Sequence, residues 1–255
     1  MSPNKIIPEN KQENKPLSFP VTTPEIIPET FCPLNINKQS LNISVSLLNG
    51  GLIMKIAMAV FLAATPILAS IYFTKYLGEN YAWINRKIIH FSIVPAGLLY
   101  YLGQIPREIF APAAFLFGLV QLIFHMKNDG LKWYQINTNY GEVFFAFSAA
   151  FVVFILSKNY ATAILLVMAI SDGVTGIIRF TYFRKNGYNV KLKKHWSGSL
   201  GYFLSALLIV ALIFPEASWL SKISWSIILT LVEYQRFLDD NLAVPLVGIL
   251  IKPLI

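Results

Sequence analysis

The feature that most constrains the fold of this chain is its series of long apolar blocks, which run from about residue 55 to the end. Only 13% of the 255 residues are charged, and 55% are hydrophobic. Soluble domains carry about 25% charged residues, whereas a transmembrane helix needs about 20 consecutive, mostly apolar residues. The pattern therefore predicts an all-α, polytopic membrane protein built as a bundle of transmembrane helices.

The apolar blocks predict about seven or eight transmembrane helices. The first six blocks are clear, whereas the seventh contains Lys222 and the eighth is short and ends in "IKPLI". Each of these last two forms either a full span or a partial, re-entrant helix. The predicted spans are 55–76, 87–105, 108–126, 141–157, 159–181, 197–215, 217–234 and 241–255.

Residues 1–50 differ from the rest of the chain because they are rich in Pro, Asn, Glu and Lys and lack any apolar period. Such a segment buries too little apolar surface to offset the entropy that ordering costs. We therefore predict a disordered polar tail over residues 1–50 and a transmembrane domain over residues 51–255. The tail is interpreted as an extension upstream of Met54, and its Cys32, the single cysteine, permits no internal disulfide.

The net charge of +8 comes largely from basic residues in the loops between apolar blocks. This placement favours contacts with anionic lipid or phosphate over nucleic-acid binding. The loops after odd-numbered spans are far more basic than those after even-numbered spans, which hold only Arg107, Lys158 and Lys222. The positive-inside rule therefore places the odd-numbered loops in the cytoplasm and the tail on the other side. The polar groups described next all lie at the predicted cytoplasmic ends of spans, which indicates one site there.

Asp172 stands inside the apolar stretch "VMAISDGVTGIIRF". A carboxylate at membrane depth is costly, so it faces a cavity or a partner rather than lipid. Gly173, directly after it, allows backbone or phosphate to approach closely. The pattern favours a carboxylate that binds Mg²⁺ on a nucleotide phosphate. The alternative is a structural ion pair, for example with Arg179.

The segment "KLKKHWSGS" combines Lys193 and Lys194 with the small residues Gly198 and Ser199 at the start of the sixth span. Free backbone N–H groups at a helix N-terminus, together with two lysines, form a suitable site for phosphate. The alternative is that the lysines only mark the cytoplasmic end of the span. That alternative does not account for Gly198 and Ser199.

The segment "NRKIIHFS" places Arg86, Lys87 and His90 within about one helical turn. One interpretation is that the cations bind phosphate and the imidazole lies near a reacting hydroxyl. The other is that the three residues anchor the helix at the membrane interface.

Two acidic elements complete the set of polar groups. Glu142 begins the fourth span, where the helix dipole alone is a sufficient explanation. Asp240 and Asn241 precede the last apolar block. They share a metal ion with Asp172, bind a ribose or base, or cap the helix that follows.

Taken in order, these elements resemble the CTP-dependent membrane lipid kinases, which include phytol kinase, dolichol kinase and a yeast-type diacylglycerol kinase. That family is distantly related to the phosphatidate cytidylyltransferases. The resemblance covers about residues 84–248 and is nearest to phytol kinase, with departures at Ser171 and His195. The matching elements are R-K-x-x-H (Arg86, Lys87, His90), "GEVFF" from Gly141, "SDG" ending at Gly173, and "KHWSGS" from Lys194. The last is an E…D-N-L-T-V-P pattern, matched by Glu233, Asp240, Asn241 and "LAVP".

The resemblance implies an enzyme that transfers the terminal phosphoryl group of CTP to a lipid alcohol such as phytol, geranylgeraniol or dolichol. It implies catalytic roles for Asp172, Lys194, His90 and Glu142, with His90 or Glu142 positioning or deprotonating the alcohol. Mg²⁺ would be held by Asp172 and Asp240. The residues expected to bind nucleotide or phosphate are Arg86, Lys87, Gly173, Lys193, Gly198, Ser199 and Asn241.

Two other functions stay open on the sequence. A cytidylyltransferase would use the same nucleotide but attack a different phosphorus, forming a CDP-activated lipid. A transporter or non-catalytic membrane scaffold is the alternative from another class. Transporters, however, place polar residues near the bilayer midplane and often show internal repeats. Here the polar residues gather toward one face.

Overall fold

A computed structural model of the chain describes residues 50–127, 131–136, 139–185 and 194–255. The described residues form helices and turns, apart from an isolated backbone bridge between Ile136 and Asn139. The prediction of an all-α protein is therefore confirmed. The prediction of a disordered tail falls almost entirely on residues 1–49, which lie outside the described residues.

The helices follow one another in the order in which the apolar blocks predict them. We number them along the chain. They are α1 (Gly50–Leu77), α2 (Ala82–Ser92), α3 (Val94–Tyr101), α4 (Arg107–Met126), α5 (Gly141–Ile155), α6 (Lys158–Leu166), α7 (Asp172–Lys185), α8 (Trp196–Ile213), α9 (Trp219–Tyr234) and α10 (Asp240–Leu250). Short 3₁₀ turns lie at Glu79–Tyr81 and Lys252–Leu254, and a π-helical turn at Val167–Ser171 joins α6 to α7.

Within the described residues, four helices are long and apolar enough to cross a membrane. These are α1, α4, α8 and the continuous helix from Lys158 to Arg184, which contains α6 and most of α7. Helices α5 and α10 are also apolar but shorter. The structure therefore agrees with a membrane protein, and most predicted spans coincide with a helix to within a few residues.

The second predicted span, 87–105, is wrong as a single helix. The structure has two helices there, α2 and α3, which meet at Ile93. Pro95 lies in the first turn of α3. Because proline has no backbone N–H, it cannot donate to the carbonyl four residues earlier, and a new helix begins instead. Helix α2 also begins earlier than predicted, at Ala82.

The continuous helix through α6 and α7 is the best-buried of the four long helices. In its most apolar window 78% of the residues are buried, against 11% for α1. It packs against α2, α3, α5 and α8, and residues such as Ile164 and Val167 lie fully buried in the core. Asp172 lies in this buried helix, directly after the π-helical turn, and is itself buried. Such turns widen a helix locally and occur often at functional sites.

Candidate functional site

A polar cavity of about 240 Å³ lies where α2, α7 and the segments before α8 and α10 meet. Among the described residues that line it, five are cationic and three are acidic, so positive charge is in excess. The cavity is therefore suited to an anion that carries several negative charges. The charged lining residues are Arg86, Lys87, Arg179, Lys194, Arg236, Asp172, Asp239 and Asp240.

Asp172 is buried and is held by two side chains of α2. Lys87 Nζ lies 2.5 Å from Asp172 Oδ1 and 2.6 Å from Oδ2, and His90 Nδ1 lies 2.8 Å from Oδ2. The suggestion that Arg179 pairs with Asp172 is wrong, because Arg179 contacts Glu233 instead. Both oxygens of Asp172 thus have partners, and Lys87 competes with any metal ion for this carboxylate.

A second charge network joins α7, the segment before α8 and the end of α9. Arg179 donates to both oxygens of the buried Glu233, at 3.0 and 3.2 Å. Lys194 Nζ donates to the backbone carbonyl of Glu233, to its Oε1 at 2.9 Å and to Asp240 Oδ2 at 3.2 Å. Burial alone lowers the pKa of Lys194, but the neighbouring Asp240 and Glu233 together raise it above its ordinary value. Lys194 therefore stays positively charged at neutral pH.

The absence of a side chain at Gly176 and Gly198 leaves space for two buried cations, Lys87 and Arg179. A Cβ atom at Gly176 would lie 2.5 Å from Lys87 Cγ, and one at Gly198 would lie 2.4 Å from Arg179 Nε. A hydrogen bond holds α7 against the start of α8 at the same place: Thr175 Oγ1 donates to the carbonyl of Gly198 at 2.9 Å. The close approach of Arg179 therefore explains why position 198 has no side chain.

Arg86 is buried and joins the polar cavity to the start of α5. Its Nη1 donates to Asn139 Oδ1 at 2.8 Å, and the same oxygen accepts from the backbone N–H of Gly141 at 2.8 Å. A Cβ atom at Gly141 would lie only 2.1 Å from Arg86 Nη2. The guanidinium also lies 5.8 Å from the centre of the Trp83 ring. These contacts fix Arg86 in place.

The start of α10 presents two adjacent carboxylates to the polar cavity. Asp239, rather than Asp240 or Asn241, caps the helix, because its Oδ1 accepts from the backbone N–H of Asn241 at 3.0 Å. Burial and the adjacent Asp240 raise the pKa of Asp239. The helix-capping alternative therefore applies to the neighbouring aspartate, and Asp240 is left to contact Lys194.

The fit of this region to Mg²⁺ depends on these two carboxylates. In the part of the chain that the structure describes, no group of three or more His, Cys, Asp or Glu side chains could hold a metal ion. Mg²⁺, however, commonly binds through one or two carboxylates, substrate phosphates and water. Asp240 is partly exposed and can reach a ligand. The raised pKa of Asp239 shows that its negative charge is poorly compensated by the protein. This pair therefore fits a phosphate-bound Mg²⁺ better than Asp172 does.

A small cavity of about 20 Å³ lies on the other side of Arg86. Glu142 and His90 line this small cavity rather than the polar cavity, together with Gln121 and Tyr134. Glu142 Oε1 lies 2.7 Å from Nδ1 of the buried His125, and Tyr134 donates to Gln121 at 2.8 Å. Among these, His125, Gln121 and Tyr134 were not predicted as site residues, because nothing in their spacing separates them from core residues.

An apolar cavity of about 240 Å³ adjoins the small cavity. It lies between α1, α4 and α5, and its lining is almost free of polar atoms. Three residues, Ile93, Phe117 and Phe145, line both the apolar and the small cavity. The polar, small and apolar cavities are therefore consecutive neighbours, with Arg86 shared at one boundary and these three side chains at the other.

The remaining predicted residues lie around these cavities. Gly173 packs against Phe91, and Asn241 is buried near Gly141 and within 3.5 Å of Asp240. Ser199 Oγ is buried and has no hydrogen-bond partner among the described residues. Lys193 lies outside the described residues. Arg179, Asp239 and Arg236, which line the polar cavity, were not among the predicted site residues.

No protein-family model, curated protein or solved structure matches the chain significantly. The likeness to membrane lipid kinases therefore stays a resemblance carried by the five short elements. What the geometry adds is that residues of four of these elements line one cavity: Arg86 and Lys87, Asp172, Lys194, and Asp240.

Proposed function

We propose that this chain is a membrane lipid kinase that transfers the terminal phosphoryl group of CTP, or of another nucleoside triphosphate, to an isoprenoid or other lipid alcohol. One observation carries the proposal: a small cavity lined by a histidine and a carboxylate shares lining residues with a cation-rich polar cavity on one side and an apolar cavity on the other. A lipid kinase needs these three environments side by side, for triphosphate, hydroxyl and hydrocarbon chain.

The polar cavity is the proposed binding site for the triphosphate. Phosphoryl transfer depends mainly on positioning and on neutralising charge, which arginine and lysine side chains supply. Arg86, Lys87, Arg179 and Lys194 are held in place by carboxylate, amide or carbonyl partners, so they are ordered before the nucleotide binds. Asp240 and Asp239 would hold Mg²⁺, which when bound neutralises charge on the phosphate oxygens.

The apolar cavity is the proposed binding site for the hydrocarbon chain of the acceptor. Its walls are formed by alanine, isoleucine and phenylalanine side chains of α1, α4 and α5. Burial of apolar surface is the main source of affinity for such a chain. An alcohol whose chain lies there directs its hydroxyl past Phe145 toward His90 and Glu142.

The proposal includes a topology of seven or eight transmembrane segments, with the polar cavity open to the cytoplasm. Four long helices support a membrane protein directly, and the shorter helices α2, α3, α5, α9 and α10 supply the remaining segments. The excess of basic residues in the loops after odd-numbered spans supports this orientation.

The test is a panel of radiolabelled nucleotides and lipid alcohols with the purified full-length protein. We expect label from the γ position of CTP to appear in a lipid monophosphate. Label from the α position in the lipid would instead identify a cytidylyltransferase, and label from neither position would reject both enzymes.

Two variants and two matched controls complete this test. Lys194→Met and Asp240→Asn remove charges from the polar cavity, and each is expected to lower turnover at least about 100-fold. Lys158→Met and Glu216→Gln change the same kinds of charge at exposed positions away from the polar cavity, and are expected to keep turnover within about twofold.

A further inference from the structure

Three residues that line the small cavity each have a buried polar atom without a hydrogen-bond partner. His90 Nε2, Glu142 Oε2 and Arg86 Nε are buried and make no hydrogen bond to any described residue. All three side chains are more than nine-tenths buried, and all three residues line this cavity. Unsatisfied polar groups in a protein interior cost free energy, so such a cluster indicates a polar ligand.

The size and chemistry of the cavity restrict that ligand. A volume of about 20 Å³ accommodates one water-sized group. Arg86 Nε is a donor and Glu142 Oε2 is an acceptor. A water molecule can accept from the first and donate to the second. A hydroxyl group offers the same combination, and the adjoining apolar cavity holds the chain to which such a hydroxyl is attached.

The contact with Asp172 determines which atom His90 presents to the cavity. A carboxylate oxygen only accepts, so the Nδ1 that lies 2.8 Å from Asp172 Oδ2 carries the proton. In the neutral ring, Nε2 then has a free lone pair. Phe145 packs on the imidazole with ring centres 4.5 Å apart and keeps the ring in this orientation.

We infer that the small cavity binds the hydroxyl of the acceptor and that His90, positioned by Asp172, takes its proton. This inference rests on the proposed function. The alcohol oxygen forms a bond to the γ-phosphorus while the bond between that phosphorus and the β–γ bridging oxygen breaks. The hydroxyl proton passes to His90 Nε2, and the nucleoside diphosphate leaves with the bond electrons.

His90 is assigned this role in preference to Glu142 because of its partner. An alcohol has one proton and can serve only one of the two acceptors, whereas a water molecule serves both. Asp172 stabilises the imidazolium that forms, and it also lines the polar cavity, so it lies between the proton acceptor and the phosphates. Asp172 thereby becomes a positioning residue rather than a metal ligand.

The first experiment measures binding without catalysis. Geranylgeraniol and its methyl ether, which lacks the O–H, are bound to the full-length protein in detergent without nucleotide. The wild type is expected to prefer the alcohol roughly three- to tenfold, as one buried hydrogen bond predicts. His90→Asn keeps an N–H for Asp172 but removes Nε2, so this preference should disappear. A preference that survives in His90→Asn overturns the inference.

The second experiment measures turnover and its dependence on Mg²⁺. His90→Asn is expected to lower turnover about 100-fold or more. Asp172→Asn should lower turnover as well, but with the Mg²⁺ concentration for half-maximal rate unchanged within about twofold. Asp240→Asn should raise that concentration. A Mg²⁺ requirement raised equally by Asp172→Asn overturns the assigned role of Asp172, and full turnover in His90→Asn overturns that of His90.

The two experiments separate this inference from the proposed function. A wild type that prefers the alcohol but transfers no phosphoryl group retains a hydroxyl site and is not a kinase. A wild type that transfers the γ-phosphoryl group equally well with His90→Asn is a kinase with another proton acceptor. If Glu142→Gln abolishes the alcohol preference and His90→Asn does not, Glu142 is that acceptor.

Discussion

At the scale of single residues, several of the charged side chains buried inside this apolar bundle are held by partners of opposite charge. Asp172 and Lys87 lie 85 residues apart in sequence and form a bidentate contact, while Arg179 and Glu233 do the same 54 residues apart. Removing one member of a buried pair leaves the other unpaired, which is more costly than removing both.

The pair Asp172 and Lys87 gives the first prediction. Asp172→Asn should lower the free energy of unfolding by about 3 kcal/mol, because Lys87 is left without its carboxylate. The double variant Asp172→Asn with Lys87→Met should recover most of that loss but none of the turnover. Thermal unfolding in detergent and the γ-label assay measure the two effects. Equal stability of the single and double variants would show that Lys87 does not depend on Asp172.

Gly198 gives the second prediction. A methyl group there meets Arg179, whose side chain is fixed by two hydrogen bonds to Glu233 and cannot move aside. Gly198→Ala should therefore destabilise the protein by about 1–3 kcal/mol and reduce nucleotide binding. Gly51→Ala is the matched control, since nothing lies within 4 Å of its new methyl group. An unchanged melting temperature for Gly198→Ala would contradict the tight contact.

The sequence allowed the charged residues of the site to be predicted but not their partners. Arg86, Lys87, Asp172 and Lys194 stand out because charges at the ends of or inside apolar blocks need a reason. Helical spacing relates only residues on one face of the same helix, so it suggested Arg179, two turns after Asp172, as the partner. The contacts to Lys87 and His90 depend on how α2 packs against α7, which no local pattern encodes.

At the scale of helices, breaks and local distortions of the helices determine the orientation of the site residues. Pro95 separates α2 from α3, and the π-helical turn before Asp172 shifts the register of the central helix. The apolar blocks predicted the existence of the helices, since block length is enough for that. They did not predict the break at Ile93 or the cap of α10, because each depends on one or two residues.

The cap of α10 gives the third prediction, which separates two roles of Asp239. Asp239→Asn keeps a capping side chain and loses the charge, whereas Asp239→Ala loses both. Asp239→Ala should unfold more easily than Asp239→Asn by about 1 kcal/mol. Both should need more Mg²⁺ for half-maximal turnover. Equal stability of the two variants would show that the cap contributes nothing.

The same residue carries a pH dependence. Burial and Asp240 raise the pKa of Asp239 above its ordinary value of 3.8, so its ionisation opposes folding. The protonated form of Asp239 stabilises the folded protein fully below pH 3.8, the ordinary pKa. This contribution to the free energy of unfolding is lost as the pH rises through the raised pKa of the folded state. The melting temperature of Asp239→Asn minus that of the wild type should therefore increase as the pH rises from 3.8 toward neutrality. A difference that is independent of pH contradicts this assignment.

At the scale of the whole molecule, the site belongs to one end of the helix bundle. The end of α9 and the starts of α5, α8 and α10 all lie near the polar or the small cavity. The proposed order of membrane crossings would place these helix ends on the same side of the bilayer. In the proposed topology this is the side of the basic loops after odd-numbered spans, which the positive-inside rule would assign to the cytoplasm.

This arrangement gives the last prediction, which also separates an enzyme from a transporter. Cys32→Ser removes the single native thiol, and Gln235→Cys then places one thiol at the rim of the polar cavity. In intact cells a membrane-impermeant maleimide should leave Gln235→Cys unmodified, and permeabilisation should expose it. The control Glu216→Cys, in the exposed turn between α8 and α9, should react in intact cells. A transport path opens to both sides in turn, so modification of Gln235→Cys in intact cells would contradict a kinase site open only to the cytoplasm.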